Sequence, residues 1–206
     1  GPVPDYVHYH KILFQMIYCY KGWARLVYED QGEPFVIEAG DCVLQPPQIR
    51  HQVLESSPGM EVIELTCPAD HETCVDHEII LPTSSVDTQR LFNGQHFIRH
   101  EVAKAEWIPW RMEGFEARDI GIASATDGLA GVRVARPVRQ PQQKFISHDA
   151  DLLFMFLLNG SAEFNCDQMD SELLTAGDSF IVPSSMKHSL SKCSEDMEVL
   201  EVVLPA

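Results

Sequence analysis

Short apolar runs, rich in β-branched and aromatic residues, recur along the chain and are separated by turns that contain Gly, Pro or Asp. In the N-terminal part these runs span residues 13–20, 24–28, 35–37, 42–45 and 61–65. In the C-terminal part they span residues 152–158, 162–165, 180–182 and 198–203. Runs of this length between turn residues are typical of β-strands. Their even spacing, without a helical period, predicts an all-β fold of barrels or two-sheet sandwiches.

The two parts of the chain are copies of one unit. Residues 40–69 align with 177–206 without a gap at an offset of 137, and eleven of the thirty positions are identical. His10 aligns with His148 at an offset of 138. Agreement of this extent indicates a tandem duplication.

The copies predict two domains, one over residues 3–77 and one over residues 78–206. Stretches at 107–110 and 131–134 have the composition of further strands, and we expect them to complete the second domain. The first domain has no such leading segment in this chain. We therefore expect its N-terminal strands to be missing from the sequence given.

The net charge of the chain limits the classes of binding partner that are expected. The chain has 31 acidic and 15 basic residues, a formal net charge of −16, which disfavours nucleic acids and anionic membranes. No apolar run reaches the length of a membrane-spanning helix. Six cysteines without a Cys-x-x-Cys motif fit a reducing cytoplasm. These features favour a cytoplasmic protein whose main partner is neither a nucleic acid nor a membrane.

Three histidines form the main candidate for chemistry. His8 and His10 are two residues apart, so in a strand their side chains point to the same face. The turn at 40–41 and the rigid Pro46 can return the chain so that His51 meets them from a neighbouring strand. Three neutral imidazoles that converge inside a barrel suit a divalent transition metal.

The spacing resembles the two sequence signatures of the cupin superfamily, and the duplication resembles that of bicupins. The resemblance implies two tandem jelly-roll barrels, with a metal held by three histidines and one carboxylate. Carried onto this sequence, the ligands are His8, His10 and His51, with Gln15 at the position of the carboxylate. The metal is then Fe(II) by preference, with Zn, Mn, Ni or Cu as alternatives.

Three positions depart from the signatures. Gln15 replaces Glu, Gln48 replaces Gly, and Glu55 replaces Asn. A neutral amide is a weaker ligand than a carboxylate, so Gln15 either binds the metal or hydrogen-bonds a ligand histidine or a water molecule. Strand alternation after His51 places Val53 and Glu55 on the inner face. We therefore take Gln15 and Glu55 as the candidate catalytic residues.

Three functions remain open. Three histidines that share one face leave coordination positions free for substrate and O2, as in the three-His dioxygenases that the sequence resembles. A mononuclear non-haem iron dioxygenase acting on a small chelating substrate is the first interpretation. A lyase, isomerase or decarboxylase that uses Zn, Mn or Ni as a Lewis acid is the second. A non-catalytic barrel that binds a small molecule is the third.

The second domain and the segment between the domains offer weaker sites. The ligand positions of the second domain are occupied by Ile146, His148, Leu153 and His188. Two imidazoles rarely retain a metal, so we expect a degenerate barrel that serves packing or homodimer formation, with a second metal as the alternative. Residues 70–77 contain several metal-ligating side chains. They are interpreted as a solvated linker, with a structural metal as the alternative.

Overall fold

The computed structural model describes residues 6–141, 144–167 and 169–206 and divides into two compact units. The first unit runs to Lys104 and includes Ala125–Asp127, and the second comprises Ala105–Ser124 and Gly128–Ala206. Helix in the described residues is limited to α1 (Ile122–Ala125) and a 3-10 turn at Val102–Lys104. No described helix has the length and hydropathy that crossing a membrane requires.

The first unit consists of two antiparallel sheets. Its strands are β1 (His8–Lys11), β2 (Phe14–Lys21), β3 (Trp23–Tyr28), β4 (Phe35–Glu38), β5 (Cys42–Leu44), β6 (His51–Ser56), β7 (Glu61–Cys67), β8 (Glu72–Val75), β9 (Leu91–Phe92), β10 (Gln95–His96) and β11 (Ile98–His100). One sheet has the order β4-β3-β6-β1-β8 and the other β11-β5-β2-β7, while β9 and β10 form a hairpin. Buried side chains of both sheets, among them Cys19, Tyr28 and Val43, form the core.

The second unit repeats this plan with a larger sheet. Its strands are β12 (Ile108–Pro109), β13 (Phe115–Asp119), β14 (Gly131–Pro137), β15 (Leu152–Asn159), β16 (Ser161–Cys166), β17 (Glu172–Thr175), β18 (Ser179–Val182), β19 (His188–Ser191) and β20 (Glu198–Leu204). The sheets have the orders β12-β13-β14-β20-β15-β18 and β17-β16-β19. The leading strands predicted at 107–110 and 131–134 are present as β12 and β14.

Strand pairing follows the duplication. In the first unit β2 pairs with β5 and β7, and in the second β15 pairs with β18 and β20. Likewise β3 pairs with β4 and β6, and β16 with β17 and β19. The copies differ at one edge, because β20 also pairs with β14, whereas β7 is the last strand of its sheet in the described part of the chain.

A glycine with positive φ closes the same turn in both units. Gly22 has φ +75° and Gly160 has φ +69°. A Cβ at Gly22 would collide with Ser57 Oγ, and one at Gly160 would collide with Ser194 Oγ. Each hydroxyl accepts the backbone N–H of the residue after its glycine, so the turn needs a residue without a side chain at this point.

The boundary between the units lies later than residues 77 and 78, where the sequence suggested it. Residues 78–104 belong to the first unit, since β11 extends the sheet that contains β5. The side chain of Arg90 binds both Glu29 and Asp30, each at 2.7 Å. These contacts join positions about sixty residues apart, which local patterning does not reveal.

Candidate metal centre

The first unit brings together the three histidines that the sequence singled out. His8 and His10 lie on β1, His51 begins β6, and His8 is the register partner of His51. The ring centroids are 4.3 Å apart for His8 and His51, and 5.3 Å apart for each of the other two pairs. One nitrogen from each ring lies within 4.8 Å of the other two. Elsewhere in the described ranges no other group of three or more His, Cys, Asp or Glu side chains meets this criterion.

Hydrogen bonds of about 3 Å anchor the rings of His10 and His51 by Nδ1, and a longer one of 3.4 Å joins His8 Nδ1 to the carbonyl oxygen of Tyr6. His51 Nδ1 donates to the carbonyl oxygen of Ile49 at 3.1 Å, so the lone pair is on Nε2, which accepts a hydrogen bond from Gln45 Nε2 at 3.1 Å. His10 Nδ1 is hydrogen-bonded to Thr73 Oγ1 at 2.9 Å. An imidazole anchored in this way presents its other nitrogen as a metal ligand in a defined direction.

Burial keeps the anchored histidines neutral. Burial, followed by the charge of His8, lowers the pKa of His51 to about 3. Burial, followed by the charges of His8 and His71, lowers the pKa of His10 to about 4. Both rings are unprotonated at neutral pH and so retain the lone pairs that a metal requires. A set of neutral imidazole donors fits Fe, Zn, Ni or Cu.

Gln15 belongs to a buried network beside the histidines. Its side chain is 2% exposed, and its Oε1 accepts a hydrogen bond from Gln45 Nε2 at 3.0 Å. Its Nε2 donates to Glu64 Oε1 at 2.6 Å. Gln45 Nε2 also lies 3.1 Å from His51 Nε2, so Gln15 is linked to the three-histidine cluster through Gln45.

Gln45 and Tyr28 complete this network, and the sequence interpretation did not include them. The hydroxyl of Tyr28 donates to Gln45 Oε1 at 2.7 Å, and the Tyr28 ring is stacked on His51 with centroids 5.4 Å apart. The available sequence signal was position, because Gln45 directly precedes Pro46 in the Gly-x5-Pro spacing. Tyr28 ends β3 opposite His51, a pairing that only the register of the strands reveals.

Glu55 does not face the site, contrary to the expectation from strand alternation. The pairing of β3 with β6 shifts register between Arg25 and Leu26, so that Leu26 pairs with Val53 and Arg25 pairs with Glu55. This bulge adds one residue to β6 and reverses the alternation after Val53. The Glu55 side chain is 58% exposed and lies 3.6 Å from Arg25 in an ion pair.

Gln48 adopts the backbone conformation that the glycine of the cupin signature would favour. Its φ is +64°, and that of Ser185, the matching residue in the second unit, is +66°. The N–H of Gln48 donates to the carbonyl of His10, and the N–H of Ser185 donates to that of His148. The loop therefore has one conformation in both copies, although neither contains glycine.

The second unit keeps two histidines at the ligand positions in a different arrangement. The rings of His148 and His188 have centroids 6.1 Å apart. His188 Nδ1 donates to the carbonyl of Met186, as His51 does to Ile49, but His148 Nε2 donates to the carbonyl of Val182 at 2.9 Å. Leu153 stands where Gln15 stands in the first unit, and it is buried in the apolar core.

The segment at 70–77 is part of the first unit and is not a solvated linker. It contains β8, which pairs with β1 so that Thr73 lies opposite His10. Glu72 forms a salt bridge with Lys11 at 2.9 Å. The ring of His71 lies 5.2 Å from that of His10. The segment therefore borders the three-histidine cluster.

Comparisons with known proteins identify the fold. No protein-family model and no curated protein sequence matches the chain. Oxalate decarboxylase from Bacillus subtilis at pH 4.6 is similar in structure, with TM-score 0.68 and 14% identity over 97% of this chain and 64% of its own. The formate complex of the Lactobacillus farciminis enzyme matches with TM-score 0.67 and 14% identity, over 98% of this chain and 73% of its own.

A further structure of the B. subtilis enzyme, which concerns its Mn(II) centres, matches with TM-score 0.66 and 13% identity over 97% of this chain and 65% of its own. This chain thus spans slightly less than two thirds of the length of the B. subtilis enzyme. Identities this low establish likeness of fold. The predicted all-β fold of two tandem cupin barrels is thereby confirmed.

Proposed function

We propose that the first unit is the metal centre of a metal-dependent cupin enzyme, with His8, His10 and His51 as ligands. The convergence of three imidazoles inside one barrel is the observation that carries this proposal. Two of them are neutral at physiological pH and have one nitrogen anchored. We favour Fe(II), with Mn, Zn, Ni or Cu as alternatives.

The surrounding residues suit a small molecule that carries oxygen atoms. His51 Nε2 accepts a hydrogen bond from Gln45 in this structure, and a metal at that nitrogen would replace the bond. The Gln45 N–H then becomes available to donate to an oxygen of a bound molecule. Tyr28 and Gln15 hold the Gln45 amide from two sides, which fixes the direction of that donor.

Dioxygenation of a small chelating acid, ketone or thiol is the reaction that we favour. When bound, Fe(II) supplies O2 activation together with Lewis acidity. The role of the chain is to leave one side of the centre open by holding three ligands on β1 and β6. Gln15 adds no negative charge, so the centre favours anionic molecules that bind through two atoms.

A lyase, isomerase or decarboxylase reaction that does not use O2 is the second candidate. Its support is the fold similarity to oxalate decarboxylases, of which the B. subtilis enzyme contains Mn(II). The two reactions differ in their use of oxygen. We expect Fe(II)-loaded protein to consume O2 in proportion to substrate across a panel of 2-hydroxy acids, catechols, β-diketones and thiols. Turnover by Mn(II)-loaded protein without O2 uptake would favour the lyase, and binding without turnover would favour a non-catalytic barrel.

The metal centre itself is tested by a matched pair of variants. His51→Ala and His188→Ala remove histidines at equivalent positions of the two units, both of them buried. We expect about one metal per native chain, a loss of affinity of more than about tenfold in His51→Ala, and no loss in His188→Ala. Metal analysis after dialysis measures the result. Full occupancy in His51→Ala, or depletion in His188→Ala, would contradict the assignment.

A further inference from the structure

A fourth imidazole borders the proposed centre without belonging to it. The ring of His71 packs edge-to-face on the ring of His10, with centroids 5.2 Å apart and an interplanar angle of 80°. Its place follows from β8, which sets Thr73 opposite His10 and lets the Thr73 hydroxyl bond to His10 Nδ1. His71 lies two residues before Thr73, beside the same histidine. It is not part of the group whose ligand atoms lie within 4.8 Å of one another.

One nitrogen of His71 lacks a partner. His71 Nδ1 is buried and has no hydrogen-bond partner in the part of the chain that the structure describes. Burial of a polar atom without a partner costs free energy, so such an atom next to a binding site indicates a ligand. The neighbouring Glu72 carboxylate is held by Lys11 at 2.9 Å.

The charge of the proposed metal centre indicates which kind of ligand would bind beside His71 Nδ1. The three imidazoles and the amides of Gln15 and Gln45 bring no negative charge to a divalent cation, and the Gln15 amide lies between the centre and the Glu64 carboxylate. An anionic group is therefore favoured there, and a carboxylate offers oxygen atoms both to the metal and to a neighbouring N–H donor.

We propose that His71 binds the acid group of a small carboxylic acid held at the His8–His10–His51 centre, with Nδ1–H donating to a carboxylate oxygen. This inference rests on the proposed function, because it takes the three histidines to hold a metal. It assigns His71 to recognition of the acid, apart from retention of the metal.

The test uses the full chain loaded with Co(II), whose visible absorption reports both metal binding and changes of ligand. Oxalate is the acidic probe, and imidazole is the probe without an acid group. His71→Phe removes the donor and keeps a ring of similar size. His71→Asn keeps an N–H near the position of Nδ1. His77→Phe changes the exposed histidine of the same segment and is the matched control.

We expect His71→Phe to bind Co(II) within about twofold of the native affinity and imidazole equally well, while its dissociation constant for oxalate rises about tenfold. His71→Asn recovers most of that affinity, and His77→Phe behaves as the native protein. Native oxalate affinity in His71→Phe would overturn the inference and leave the metal centre intact. Loss of Co(II) from His71→Phe would overturn it by making His71 a ligand. Failure of the native chain to bind Co(II) would instead refute the metal centre itself.

Discussion

A single amide distinguishes the ligand set proposed for the first unit from the pattern that the cupin signature describes. Gln15 bridges two neighbours, accepting from Gln45 at 3.0 Å and donating to Glu64 at 2.6 Å. A glutamine can make both bonds at once because it contains a donor and an acceptor, whereas an ionised carboxylate only accepts. The structure thus gives Gln15 a reason to be an amide that does not depend on metal binding. Whether it also ligates the metal stays a prediction.

We predict that Gln15→Glu destabilises the metal-free protein at pH 7 by about 1–3 kcal/mol, because two carboxylates would meet where an N–H···O bond stands now. Metal should reverse part of this loss, since it offers the new carboxylate a cation. Urea denaturation with and without metal measures both effects. Gln15→Ala should keep the metal, because three imidazoles remain.

Exchanging the amide and the carboxylate between positions 15 and 64 is the control for this prediction. The double variant Gln15→Glu, Glu64→Gln restores one amide and one carboxylate in reversed order. It should regain most of the stability that Gln15→Glu loses. Equal destabilisation of the double and single variants would show that repulsion is not the cause. Release of metal by Gln15→Ala as complete as that by His51→Ala would show that the amide is an essential ligand.

At the scale of the element, small departures from regular strand geometry decide which side chains reach the site. The bulge in β6 keeps Val53 against the core and turns Glu55 to the surface. Gln48, which has a positive φ, turns the loop before β6 so that the N–H of Gln48 reaches the carbonyl of His10. The bulge excludes Glu55 as a candidate catalytic residue, and the conformation of Gln48 helps to bring β6 beside β1.

Gln48 offers a direct test of the free-energy cost of a left-handed backbone conformation. We predict that Gln48→Gly stabilises the protein by about 1 kcal/mol, because glycine removes the cost of a left-handed conformation of about 1–2 kcal/mol and returns part of the gain as chain entropy. The Gln48 side chain is exposed, so little packing is lost. Chemical denaturation measures the change.

Gln52→Gly in β6 is the matched control, and it should destabilise the protein by about 0.5–1 kcal/mol, as glycine does within a strand. If Gln48→Gly destabilised the protein by the same amount, the Gln48 side chain would stabilise the protein by more than the left-handed backbone conformation costs.

In the molecule as a whole, the two units share one strand arrangement but differ in the residues at the positions of the three-histidine cluster. The second copy retains the turns, the strand pairing and the histidine at the start of β19. It has lost the network beside that histidine, because Leu153 and Val182 replace Gln15 and Gln45. Glu201, which matches Glu64, is buried and forms an ion pair with Arg111. The homodimer and the cytoplasmic location stay predictions of the sequence.

The buried histidines predict how stability depends on pH. Their pKa values lie below the ordinary 6.5, at about 4 for His10 and about 3 for His51. Below pH 6.5 the unfolded chain therefore binds protons that the folded chain does not, and the free energy of unfolding falls as the pH falls. We expect a slope of up to about 1.4 kcal/mol per pH unit for each histidine in the metal-free protein.

Denaturation between pH 6.5 and 5 measures this effect together with that of His188, whose pKa is also lowered by burial. The pKa of the Glu72 carboxyl is lowered by the hydrogen bond from Lys11, which moves its titration away from this range. His51→Phe should reduce the slope over this range. An unchanged slope in that variant, or a metal-free protein of constant stability over the range, would contradict the neutral state inferred for His51.

The class of fold and the three central histidines could be predicted from the sequence. Alternating runs between turns define strands locally, and the repeat shows which strands correspond. His8 and His10 share a face because of a local period of two, and His51 follows a spacing that the second copy repeats.

The other residues that surround these histidines could not be predicted from the sequence. The bulge that turns Glu55 away, the contact of Gln45 with His51, and the return of β8 that sets His71 beside His10 all depend on pairings between distant strands. The boundary at Lys104 has the same origin, because β11 joins its sheet by pairing with β5, which lies more than fifty residues earlier in the chain. Backbone hydrogen bonds between strands are nearly independent of side-chain identity, so their register leaves little trace in a single sequence.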